Sequence, residues 1–300
     1  MRTDLALTLV ATMCVAVASP AAAQRYTFEQ SVPVTAYSRL DVVTDRGKVD
    51  VRAGAVDAVE VVGTVTVRAG WDVPADAVAL AQAVARRPPI AVNGARIALS
   101  DPADARARRA VTVSYVVRVP ASLPVTVRSD SGAVHVEGVR APAVLVTQSS
   151  AIDAADVGTA TITSGSGAVR VSGAGGDVAV DTRSSSIEID GAGGGVRART
   201  GSGSVRVGLV AAGRVDIETS SSAIDVRGAQ GALTVRSGSG SVRVAGDPSA
   251  DWAVSTRSSS IEITVPRDAS LQLTAASRSG GVTARGLATT TVSTAREVSG

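Results

Sequence analysis

Histidine, cysteine and aromatic residues are nearly missing from this chain of 300 residues, and each shortage removes a class of function. The one cysteine, Cys14, lies in the apolar stretch at the start, so the rest of the chain can form no disulfide, thiolate metal site or cysteine nucleophile. The one histidine, His135, cannot build a histidine-cluster metal site and leaves most general-base schemes without a base. Aromatic residues make up 2% of the chain, too few to stack nucleic-acid bases or to floor a sugar cleft with tryptophan. The net charge is +3, and the arginines alternate with acids instead of massing, so no nucleic-acid stripe is read. No GxGxxG or Walker-type phosphate loop occurs either.

Long apolar runs are confined to the beginning. Arg2, the run from Leu5 to Ser19 and the small residues Ala21-Ala22-Ala23 read as a secretory signal over residues 1–23, cleaved before Gln24. The run is shorter than the roughly 18–20 residues that a membrane span needs. Met13, not a small residue, precedes Cys14, which argues against lipidation. The expectation is a bacterial chain exported to the periplasm, the cell surface or the medium, with no transmembrane segment after cleavage.

What the chain has in quantity is valine, glycine, serine and arginine, a mixture suited to strands and tight turns. One phrase returns along it: a small polar turn, then an aliphatic, a polar residue and another aliphatic. It reads SGAVHV, SSAIDA, SGAVRV, SSIEI, SGSVRV, SSAIDV, SGSVRV and SSIEI, ending in the decayed SGGVTA. The leading aliphatics are Val134, Ile152, Val169, Ile187, Val205, Ile224, Val242, Ile261 and Val282. A second alternating run sits in each copy, as in AVLVTQ from Ala143 or DVAVDT from Asp177. Alternation at period two means one buried and one wet face, so Val178, Val180, Ile187 and Ile189 point inward. Two strands and two Gly/Ser corners fill about 18 residues, and no copy can bury its apolar face alone, so neighbours must stack. The expected fold class is all-β: a parallel β-helix or β-solenoid with coils of about 18 residues. A larger unit is also visible, since the segments starting at Thr163, Thr200 and Ser237 are near-copies that each pair a Gly-rich with a Ser-rich phrase.

Residues 24–300 read as a single solenoid domain, with a less regular part over 24–120 and regular repeats over 121–290. TDRGKVDV, ending at Val51, already matches the phrase, and VEVVGTVTV from Val59 is strand-like. One short helix is predicted near 73–86 as an N-terminal insertion. Asp72-Val73-Pro74 opens it, Val73, Ala77, Leu80 or Ala81 and Val84 share a face, and Arg87-Pro88-Pro89 ends it. Val111, Val113, Tyr115, Val117 and Val119 then alternate in a longer strand. This region is read as the start of the solenoid, interrupted by the helix.

The most informative polar row lies between the paired aliphatics: His135, Asp153, Arg170, Glu188, Arg206, Asp225, Arg243, Glu262 and Thr283. Its signs alternate, which reads as an ion ladder across stacked coils. An acid pair for glycoside cleavage would use Glu188 and Asp225, two coils or about 9.5 Å apart. Arg206 would lie between them, where a general acid needs a neighbour that favours its protonated form. Gly173 to Asp177 (GAGGD) resembles a calcium-binding repeat, but other copies lack the aspartate. The serine runs 184–186, 220–222 and 258–260 have no histidine nearby and read as corner residues. The outward row of the second strand, Thr161, Ala179, Arg197, Asp216, Thr234 and Ala253, is too mixed for an ice-binding face. Trp252 aligns with Val178 as a core residue, and Trp71 reads as a packing anchor. No catalytic, cofactor-binding or metal-ligating residue is assigned, and no cofactor is implied.

The segment VSYVVRVPASLPVTVRSDSGAVHVEG, followed by many T-x-S-G-x-V-x-V copies, resembles the bacterial putative-adhesin β-strand repeat family. The likeness covers nearly all of residues 26–290. It implies a β-helical extracellular domain of unknown function and supplies no catalytic residues. The chain therefore reads as a non-catalytic exported surface or envelope protein whose partner is a surface polymer or an envelope protein. The alternatives are a periplasmic regulatory or assembly module that binds a membrane protein and, third, a polysaccharide-active β-helix enzyme.

Overall fold

Strands account for nearly all regular structure in the computed structural model, which describes residues 24–70, 72–267, 269 and 272–286. The expected signal segment with Cys14, and Trp71, lie outside the described residues. From Val125 onward the chain winds as a two-sided parallel solenoid, each coil giving one strand to a 13-stranded sheet and one to a 12-stranded sheet. In the first sheet Val134, Ile152, Val169, Ile187 and Val205 are successive register partners. Ile224, Val242, Ile261 and Val282 continue the column. The expected coil of about 18 residues is therefore the observed one. The second sheet stacks the other run in the same way, from Val125 and Ala143 through Val178 to Trp252 and Leu273.

The core is the space between the two sheets. Val178, Val180, Ile187 and Ile189 all point into it and are buried; each contributes about 1.5–3 kcal/mol relative to an exposed position. Trp252 takes an aliphatic's place in this column, is 1% exposed and donates its indole N–H to the Gly231 carbonyl at 3.1 Å.

The N-terminal part departs from simple winding. In chain order it consists of β1 (Arg25–Pro33), β2 (Arg39–Thr44), β3 (Val49–Gly54), β4 (Ala58–Val67), α1 (Ala77–Arg86), β5 (Ile90–Asn93), β6 (Arg96–Ser100), α2 (Ala105–Ala110) and β7 (Val111–Pro120). The regular coils begin with β8 (Val125–Ser129) and β9 (Val134–Glu137). β2 and β3 form one coil, but β2 pairs with both β6 and β8, and β3 with both β7 and β9. That coil is thus sandwiched between strands that come later in the chain. The expectation that this region begins the solenoid is corrected: its coil belongs to the solenoid but occupies the second layer.

The end of the first sheet is closed by antiparallel β1, β4 and β7, which replaces an open parallel edge with a twisted ribbon. Phe28, Gly63 and Tyr115 are in register across these three strands. Phe28 packs edge-on to Tyr115 with ring centroids 6.3 Å apart. A Cβ on Gly63 would stand 2.0 Å from the Phe28 ring, so glycine is what lets the ring lie across the strand. α1 rests on β1 and β4 through buried Ala77, Ala81, Val84 and Ala85. The helix starts at Ala77, so Val73 stands outside it as a half-buried neighbour, and Leu80 is half-buried too. A second helix, α2, was not anticipated. Its sequence ARARRA is too short to show a period, and it is started by Asp104, which accepts from the Arg106 amide at 3.0 Å. Among the described residues no helix is long and apolar enough to cross a membrane.

Candidate functional site

Parallel stacking places the predicted polar row on the outer face of the first sheet. His135, Asp153, Arg170, Glu188, Arg206, Asp225, Arg243, Glu262 and Thr283 are register partners in that order, and Asp50 of β3 extends the row past His135. Arg170 reaches Glu188 at 3.1 Å and Arg206 reaches it from the other side at 3.6 Å. Glu262 is likewise held by Arg243 at 3.4 Å and by Arg285 at 3.8 Å. His135 Nδ1 lies 3.5 Å from Asp153.

The ladder is not continuous. Asp225 pairs at 3.0 Å with Arg227, two residues along its own strand, and not with Arg206 or Arg243 beside it. A neighbour on the same face of one strand competes with neighbours on adjacent coils, and at Asp225 the nearer guanidinium wins. At the other end Asp50 is 6% exposed and accepts from Arg52 at 2.9 Å. That bond and the Asp50 charge push the Arg52 guanidinium above its usual value.

A second column escaped the sequence reading. Thr44, Ser129, Thr147, Ser164, Thr182, Thr200, Thr219, Ser237, Thr256 and Ser277 end successive strands of the second sheet. All but Ser277 are buried. Several of their hydroxyls turn back onto the following corner: Ser164 donates to the Gly167 carbonyl at 3.0 Å, and the Gly132 amide donates to Ser129 at 2.9 Å, whereas those of Thr182, Thr219 and Thr256 have no partner among the described residues. The T-x-S-G phrase held the signal, since the hydroxyl residue recurs just before each corner. Ser222 of the second serine run acts in the same way, accepting from the Gly203 amide at 2.6 Å across adjacent coils.

The other candidates fall into structural places. Asp177 of the GAGGD run accepts from the Gly195 amide at 2.7 Å in the next coil. Among the described residues no three histidine, cysteine or acidic side chains come together as a metal site. The mixed row Thr161, Ala179, Arg197, Asp216, Thr234 and Ala253 does run along the outer face of the second sheet. Two ionisable groups beneath the N-terminal end are shifted. Burial pushes the Asp101 carboxyl up from the usual carboxylate range, although it accepts from the Asp45 amide at 2.6 Å. Burial also pushes the Tyr115 phenol up, well beyond its ordinary value, while its hydroxyl donates to the Ser100 carbonyl at 2.5 Å.

Comparison with known proteins adds a family. The family model described as Toastrack DUF4097 matches residues 112–300, beginning within β7. A putative adhesin from Parabacteroides distasonis is similar at 11% identity and a TM-score of 0.39, with 85% of this chain and 96% of that chain covered. A putative adhesin from Bacteroides fragilis is similar at 13% identity and a TM-score of 0.31, with 86% and 96% covered. No curated protein matches.

Proposed function

For this chain, which belongs to the Toastrack DUF4097 family, we propose a non-catalytic role as an exported surface or envelope solenoid that presents rigid strand faces to a binding partner. The observation that carries this reading is the state of the outer row. Each of its four carboxylates past His135 is already engaged: Asp153 by His135, Glu188 by Arg170 and Arg206, Asp225 by Arg227, and Glu262 by Arg243 and Arg285. Acid–base hydrolysis needs two carboxyl groups in different protonation states facing a shared space. Here Glu188 and Glu262 face guanidiniums on adjacent coils and Asp225 faces one along its own strand, which suits a scaffold. Export rests on the N-terminal signal pattern.

The test is a turnover screen of the purified chain against acidic and neutral polysaccharides. No product is expected. Activity lost in Glu188→Gln but kept in Glu262→Gln would overturn the non-catalytic reading and make the row a reaction centre.

A further inference from the structure

We propose that the groove near the last coils of the second sheet binds a linear acidic polysaccharide through its carboxylates. This rests on the binding-scaffold reading above and gives it a place and a ligand class. The groove encloses about 540 Å³ and is lined by Arg236, Arg257 and Arg278 together with Glu218 and small or hydroxyl-bearing residues. Arg257 and Arg278 directly follow Thr256 and Ser277, which are register partners, so the two arginines stack one coil apart. Arg236 precedes Ser237, the partner of Thr256 on the coil before. Arg257 and Arg278 thus stand about 4.8 Å apart along the solenoid axis, and Arg236, in register with Ser255 two positions before Arg257, flanks them on the same groove.

Like charges stacked in register destabilise a sheet, and Arg257 and Arg278 directly follow residues that are in register. Among the described residues no carboxylate lies within ion-pair distance of these three guanidiniums. The one acid in the lining, Glu218, is taken by Arg199 at 3.5 Å. On the first sheet the row of arginines is matched by acids, and on the second Arg236 has Glu218 as its register partner, so the stacked pair Arg257 and Arg278 is what departs from the molecule's own pattern.

The lining selects among anions. Guanidinium forks match planar oxyanions in bidentate geometry. Two guanidiniums one coil apart, with a third beside them, suit a chain that carries an acid on successive units better than a single small ion. No aromatic ring lines the groove to stack a base, and no broad apolar wall is present to hold an acyl chain. Hydroxyl-bearing walls suit a polyol backbone.

The probe is polygalacturonate, with its methyl ester, a polyphosphate and a single-stranded oligonucleotide of similar length as comparisons, measured by calorimetry at low and moderate salt. Polygalacturonate should bind, and methyl esterification should abolish binding to the unaltered chain. The exposed pair Arg236→Gln/Arg257→Gln should weaken it about tenfold or more, while Arg170→Gln/Arg206→Gln on the other sheet should leave it within about twofold. Equal losses in both variants, no binding at all, or equal affinity for the ester, the polyphosphate or the oligonucleotide would overturn the proposal. Turnover of the polymer with intact arginine dependence would count against the non-catalytic role and leave the groove standing. Absence of both binding and turnover would remove the groove alone.

Discussion

Val49 is the in-register neighbour of Tyr115, although β4, both helices and two further strands lie between them in the chain. The same Val49 is paired on its other side with Val134. One early coil is therefore the mortar between β7 and the regular repeats, and the match to the Toastrack family, which begins at residue 112, covers the strands on both sides of β3 without including β3 itself.

Residues 112–300 expressed alone should fail to form the native end of the solenoid. Removing β2 and β3 strips β7 of its parallel partner and leaves β8 and β9 with exposed aliphatic edges. Loss of a cooperative thermal transition, or aggregation, is expected by circular dichroism and light scattering. Deleting residues 200–236 should be tolerated, because the near-copies starting at Thr163, Thr200 and Ser237 let the register close over the gap. A truncated 112–300 chain as stable as the full one would show that the inserted coil is dispensable.

In a chain with Cys14→Ser, the pair Glu188→Cys with Arg206→Cys should oxidise to a disulfide, whereas Arg170→Cys with Arg206→Cys should not. The first pair are register partners on adjacent coils, the second two coils apart. Neighbouring strands lie about 4.8 Å apart, within disulfide reach, and alternate ones about 9.5 Å, beyond it. Non-reducing electrophoresis reads the result directly. Bridging of the wider pair alone would mean that two copies, not one, close each coil.

Gly240→Ala should destabilise the fold by about 2–3 kcal/mol in denaturant unfolding. An added Cβ would stand 2.0 Å from the Ser222 carbonyl on the coil beneath, so one corner must move. Gly281→Ala meets nothing within 4 Å and should stay within about 0.5 kcal/mol of the parent. Glycine recurs at this corner position because the backbone there lies against a carbonyl of the neighbouring coil, as at Gly203 over Ser185 and Gly240 over Ser222.

Tyr115 should make the fold sensitive to alkali. Burial favours its neutral form, so the folded-state value lies above the unfolded value of about 10. The unfolded state then loses its proton first, and binds fewer protons than the native state above that pH. The stabilisation is complete below about pH 10 and falls as pH rises toward the folded-state value. Tyr115→Phe should flatten this part of the stability profile while costing about 1 kcal/mol near neutrality through the lost bond to Ser100. An unchanged alkaline slope in the variant would assign the effect to another group.

The sequence by itself determined the strands, their inward faces and the coil length, because each of these is a local matter. Alternation at period two marks Val178 and Ile187 as core, and the spacing from Val134 to Val282 measures the coil whatever lies next to it. Helix α1 was legible from its apolar stripe, whereas α2 in six residues had no room to show one. Tertiary structure alone decided which coil lies beside which. Every strand offers the same unpaired N–H and C=O groups and the same aliphatic face, so nothing in β2 and β3 names β7 and β9 as neighbours; the length of the excursion through β4 and the helices does. The same holds for Arg236, Arg257 and Arg278. They stand 21 residues apart in the chain, each followed by a serine. Only the stacking of coils brings their charges onto one groove, since charge acts through space and not along the sequence.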